Sequence, residues 1–200
     1  MFMKKSVVLA VTVLASLSLA ACGNSSKSKS GSNKTSSSQT QDLSKNITLA
    51  NYKKIKVGIM TGQGGATESS VKAKFGTPSS KSKASKTEIV QYSWSKVDPS
   101  FKVADVTIHA IDGKVVGKAY DAKKTSGMKI TSKSRLAGIK KGDSYNATLK
   151  TLGTPNGESI MGAGKNSLQQ LTYATDKNGN AVTFSFNQNK LNAKTTATIN

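Results

Sequence analysis

Two short blocks, Phe75-Gly76-Thr77-Pro78 and Leu152-Gly153-Thr154-Pro155, stand 77 residues apart in this chain. A glycine after an apolar residue, with proline two positions on, is how a helix is closed: glycine takes the left-handed backbone, and proline forbids continuation. The block therefore reads as punctuation. It is not a phosphate loop, because its glycine follows the helix and no G-x-x-x-x-G-K-[ST] accompanies it.

The correspondence extends beyond the block. Thr48, Tyr52, Ile55 and Gly58 set against Ser132, Leu136, Ile139 and Gly142. The loop-like Ile59 to Gly65 supplies the seven-residue insertion that this alignment needs. Ile111 to Val115 sets against Asn187 to Leu191. Ordered agreement over three blocks predicts a tandem duplication. Thr48 and Ser132 read as N-caps of a first short helix in each unit, ended by Gly58 and Gly142. Second helices start at Thr67 and Ser144, with Val71, Phe75, Tyr145, Leu149 and Leu152 on their apolar faces.

Strands follow each helix pair. Glu88 to Trp94 and Leu168 to Ala174 alternate apolar and polar residues. Val106, Ile108 and Ala110 match Val182, Phe184 and Phe186 in the next strands, and Asp112-Gly113 is a hairpin signal. The expected fold class is α+β, two tandem repeats at 47–124 and 125–200, each a short helix-loop-helix packed on one face of an antiparallel sheet. The opposite face should then carry Gln91, Ser93, Thr107, His109, Thr172, Thr183 and Ser185, the candidate binding face.

The N-terminus constrains location. Residues 1–21 join a cationic start to an apolar run of signal-peptide length, too short for a confident membrane span. Leu19-Ala20-Ala21-Cys22 looks like a bacterial lipobox, which implies diacylglyceryl transfer to Cys22 and a lipid-anchored chain on the extracellular face of the cell membrane. The alternative is an ordinary secreted protein with a chance cysteine. Residues 23–46 are nearly all Ser, Lys, Thr, Asn, Gly and Gln, the composition of a disordered tether. Such a segment reaches about 27 Å on average. Cys22 is the sole cysteine, so the folded part is held without disulfides or cysteine-ligated metal.

Residues 47–200 hold 24 of the 30 cations and nine of the ten acids, a net of +15. Charge of this size acts on partners and not on the fold. An exported, membrane-tied chain does not meet nucleic acid, so an anionic envelope polymer, anionic lipid headgroups or a protein partner fits better; a merely well-solvated lysine-rich surface is the plain alternative. Lys53, Lys54, Lys56, Lys140 and Lys141 follow the first helices as a candidate basic edge. His109 is the only histidine, and no carboxylate pair or His/Asp/Glu cluster suggests catalysis, a metal or a cofactor.

The run of short helix, second helix ending in apolar-Gly-x-Pro, aromatic strand Tyr92-Ser93-Trp94 and Asp112-Gly113-Lys114-Val115 hairpin resembles the tandem-repeat β-lactamase-inhibitor-like lipoproteins of Gram-positive bacteria. It is also similar to the SmpA/OmlA small lipoproteins of outer-membrane assembly. The resemblance covers about residues 47 to 199 and implies two copies whose sheets can form one concave surface, with enzyme inhibition through that surface. The expectation is a non-enzymatic, monomeric, membrane-anchored binding module for a protein or anionic envelope partner, or else an inhibitor or immunity-type protein blocking a secreted enzyme or toxin.

Overall fold

Strand pairing decides the architecture. The computed structural model describes residues 42–83, 85, 87–125 and 127–200; the expected signal peptide, Cys22 and most of the tether lie outside them. Eight strands, β1 (Ser80–Lys83), β2 (Val90–Trp94), β3 (Val103–Ile111), β4 (Lys114–Ala122), β5 (Gly157–Met161), β6 (Leu168–Ala174), β7 (Asn180–Asn187) and β8 (Lys190–Thr198), form one sheet in sequence order. Every neighbouring pair is antiparallel.

Four short helices lie among these strands: α1 (Leu49–Lys53), α2 (Glu68–Phe75), α3 (Lys133–Gly138) and α4 (Tyr145–Leu152). Each is started by a side chain that accepts from the backbone N–H three residues on: Thr48, Thr67, Ser132 and Ser144. Gly76 and Gly153 close α2 and α4 at φ 81°, a backbone that a side chain disfavours. Each of these glycines also offers its carbonyl to an aromatic residue of the sheet: Trp94 Nε1 donates to Gly76 O at 3.0 Å, and Tyr173 donates to Gly153 O at 2.9 Å.

The expectation of two helix-loop-helix repeats packed on a sheet is overturned. The molecule is mostly one continuous eight-stranded antiparallel sheet, with helices of only five to eight residues. Two physical reasons account for this. The unexpected β5 pairs with β4 from Gly117↔Met161 to Tyr120↔Glu158, making the sheet continuous where a boundary was expected near residue 124. The first helices also stop early, at Lys53 and Gly138, so Ile55 and Ile139 are buried just beyond helix ends and Gly58 and Gly142 terminate nothing. Residues 42–46, assigned to the tether, include a 3-10 turn, Ser44–Asn46, and Leu43 lies against Gly76.

The core lies on the helix side of the sheet. Tyr52, Phe75, Trp94, Phe101, Val106, Ile108 and Tyr120 form one buried cluster; Leu136, Tyr145, Leu152, Leu171, Tyr173, Phe184 and Phe186 belong to a second. Aromatic edges meet faces within both, as at Phe75–Trp94 and Tyr145–Phe186, each with ring centroids 5.6 Å apart. Two lysines from the sheet satisfy helix carbonyls: Lys118 Nζ donates to Tyr52 O at 3.1 Å and Ile55 O at 3.0 Å, and Lys194 Nζ donates to Leu136 O at 3.2 Å. Buried Glu158 on β5 accepts from the Tyr145 hydroxyl of α4. All of this lies within the compact unit Thr40–Asn200.

Candidate functional site

Side chains alternate along a strand, so burying Tyr92, Trp94, Val106, Ile108, Tyr120, Leu171, Tyr173 and Phe184 under the helices sends their neighbours to the other face. The register aligns those neighbours into rows. One row crosses the whole sheet as Ser80, Ser93, Thr107, Ala119, Ser159, Gln170, Ser185 and Ala193. A second runs Gln91, His109, Gly117, Met161, Leu168 and Asn187; a third runs Gly157, Thr172, Thr183 and Thr195.

All seven candidate binding-face residues, Gln91, Ser93, Thr107, His109, Thr172, Thr183 and Ser185, stand on this one open face. They form two groups. Ser93 Oγ and Thr107 Oγ1 are 2.7 Å apart on β2 and β3, and the Thr107 hydroxyl is within 3.3 Å of Asp105 Oδ1. Thr172 and Thr183 share a hydrogen bond of 2.9 Å on β6 and β7. Strands β4 and β5 separate the groups with the small residues Gly117, Ala119, Gly157 and Ser159. Thr107 is only 7% exposed although no helix covers it.

Charge on this face is sparse and acidic. Between the hairpin tips it carries no lysine or arginine, while Asp105 and Asp121 stand directly opposite one another on β3 and β4. Burial raises the Asp105 carboxyl above the ordinary range, the Asp121 charge raises it further, and the Thr107 hydroxyl opposes both. Burial lowers the His109 imidazole below its usual range, which favours the neutral ring. Its register neighbours across the ladder are Gln91 and Gly117, neither able to work with it as acid or base. Among the described residues, no three His, Cys, Asp or Glu side chains gather as a metal site. No helix there is long and apolar enough to cross a membrane.

The five candidate basic-edge lysines are exposed but lie in two places. Lys53, Lys54 and Lys56 surround the turn whose carbonyls hold Lys118 of β4. Lys140 and Lys141 precede Gly142, whose N–H bonds Leu191 O of β8. Four strand spacings separate β4 from β8, roughly 19 Å. The sequence reading missed Asp105, Asp121, Ser159 and Gln170. The aspartates are aligned by a bulge between Val103 and Asp105 that no sequence signal announced, and Ser159 belongs to the unrecognised β5.

The fold has a solved counterpart. A Streptococcus mutans crystal structure, described as a "putative beta-lactamase inhibitor protein", is similar with TM-score 0.57 and 18% identity, covering 76% of this chain and 95% of that one. The likeness shows a β-lactamase-inhibitor-like fold and nothing finer. No curated protein matches the chain. A family model described as a domain of unknown function with a solved structure, DUF3862, matches residues 33–199. That match spans most of the sequence, and the chain belongs to the DUF3862 family.

Proposed function

We propose that this protein is a non-catalytic binding module, tethered through Cys22 to the extracellular face of a cell membrane, that engages a protein or envelope partner with the open face of its sheet. One observation carries the reading: in a chain of net charge +20, the uncovered face is dominated by Ser, Thr, Gln, Ala and Gly, its charged side chains between the tips are Asp105 and Asp121, and no lysine or arginine stands there. Small hydroxyls held in register by one another present a pre-ordered polar surface, which lowers the entropy lost on binding.

The name of the Streptococcus mutans neighbour favours a second reading, inhibition of a secreted enzyme such as a β-lactamase. The two readings separate in one experiment. The compact unit is immobilised and exposed to envelope extract, and in parallel is titrated into secreted β-lactamases under turnover. Thr172→Arg with Ser185→Arg puts two bulky cations on the open face. Binding or inhibition that this pair abolishes supports face recognition; retention that disappears with salt alone, in parent and variant alike, overturns it.

A further inference from the structure

One end of the molecule gathers what the rest of the surface avoids. The described residues leave four large apolar side chains well exposed, and three stand here: Ile59 at 36%, Met60 at 39% and Leu168 at 45%. The fourth, Ile130, bridges to Ala174 at the opposite end of the strands. Three turns bring the cluster together. The Gly58–Gly65 loop and the β5–β6 turn attach to consecutive carbonyls, Gly58 N–H to Val115 O at 2.9 Å and Gly162 N–H to Val116 O at 2.7 Å. The β7–β8 tip joins through Gln188 N–H to Ser167 O at 2.9 Å. The Met60 chain runs 3.8 Å from where a Cβ on Gly162 would stand, and Met161 is the register partner of Leu168.

Lysines ring this cluster. Lys56 adjoins the loop, Lys114 and Lys190 start strands at the tips, Lys165 sits in the β5–β6 turn, and Lys140 and Lys141 lie beside the start of β8. All six are exposed. The acidic side chains of this end are Glu68, which pairs with Lys72 at 3.1 Å; Glu88 between β1 and β2, which pairs with Lys83 at 2.8 Å; Asp143, which accepts from the Lys140 N–H at 2.7 Å; and Asp112 at the β3–β4 tip. The balance is cationic around an aliphatic centre.

We propose that this end is a docking surface for an anionic lipid bilayer, with Ile59, Met60 and Leu168 entering the headgroup region and the lysines meeting the headgroups. Ile59 and Met60 project from a loop and Leu168 from the first position of β6, and none of them is Trp, Tyr or Arg, the usual anchors of a protein interface. A fluid anionic surface needs no matching shape: it takes protruding aliphatic side chains beneath a ring of long-stemmed cations. The surface meets the open face at Leu168 and Met161, and it does not depend on the open-face reading.

The compact unit Thr40–Asn200 holds both cores and is tested without any acyl chain. It is sedimented with vesicles of phosphatidylcholine alone and with phosphatidylglycerol added. The expected result is binding to the anionic vesicles only, lost at high salt. Met60→Asp with Leu168→Asp should weaken it at least tenfold, and each of Lys165→Gln and Lys190→Gln about fivefold. Ile130→Asp should leave it unchanged. Thermal melts check that the variants fold, and the milder Met60→Ser with Leu168→Ser should weaken binding in the same direction. Equal binding to both vesicles, or undiminished binding by both apolar variants, overturns the proposal. Poly-glutamate or an acidic protein binding as tightly as anionic vesicles, and equally to parent and apolar variants, would identify a plain polyanion surface and overturn it too.

Discussion

On β2, Tyr92 and Trp94 point under the helices and are 3% and 2% exposed, while Gln91 and Ser93, which alternate with them, stand half-buried on the open side. The same contrast holds on β6, where Leu171 and Tyr173 are fully buried and Gln170 and Thr172 are not. One face obtains its stability by removing large apolar area from water. The other uses small side chains that bond each other, as Ser93 does with Thr107 and Thr172 with Thr183. The difference teaches that a meander of eight strands needs only one covered face to stand. The uncovered face is thereby free to be shaped by what it meets.

The largest test of that contrast lies on the covered face. Trp94→Ala removes a fully buried ring packed on Phe75 and orphans the Gly76 carbonyl. The expected loss is about 3–5 kcal/mol, read by urea unfolding. Ser93→Ala, one residue away, should cost under about 1 kcal/mol. Comparable losses at both positions would erase the distinction between the faces.

Lys118 is the next largest, because it is a cation on the apolar side. Its ammonium serves the carbonyls that end α1 and lies 4.6 Å from the Tyr52 ring centre. Lys118→Met keeps the stem but leaves those carbonyls unpaired, for an expected loss of about 1–3 kcal/mol. A neutral outcome in the same unfolding assay would show that water replaces the ammonium.

Much of the covered face was legible. Thr48, Thr67, Ser132 and Ser144 announce their helices because a cap is a local bond within four residues. Phe75-Gly76 and Leu152-Gly153 announce the ends for the same reason. Two-residue alternation placed the seven face residues together, since one buried residue dictates the direction of the next. What escaped notice was non-local. β1 is Ser-Lys-Ser-Lys and exposed throughout, with no alternation to read. β5, Gly157–Met161, opens on Gly-Glu-Ser with no apolar–polar alternation to read, and only its pairing with β4 and β6 makes it a strand. Missing it concealed the continuity of the sheet. The Asp105–Asp121 alignment was hidden similarly, because a bulge sets it.

A smaller effect is expected at Thr107. Thr107→Val keeps the shape and β-propensity while removing the hydroxyl that bonds Ser93 and Asp105. Melting should shift by the equivalent of about 1 kcal/mol or less, roughly 2–4 °C in a domain of this size. Under the proposed function, partner binding falls although stability barely moves. Such a separation of stability from binding has no counterpart at Trp94.

The smallest expected effect has a definite sign with pH. Burial and the facing Asp121 raise the Asp105 carboxyl above its value of 3.8 in an unfolded chain. The folded state therefore holds this proton more firmly than the unfolded state does. Stability from this group is lost as pH rises from about 3.8 through the folded pKa, and the cost is complete at neutral pH. Asp105→Asn keeps an oxygen for the Thr107 hydroxyl and removes the charge. The variant should melt above the parent at pH 7 by on the order of a degree or two, and the gap should close toward pH 3. Taking variant minus parent cancels the carboxylates that hydrogen bonds lower, Asp42, Asp98 and Asp176, whose contributions run the opposite way. A gap of equal size at pH 3 and pH 7 would mean that the amide acts through packing, and the open face would then owe nothing to its acidic pair.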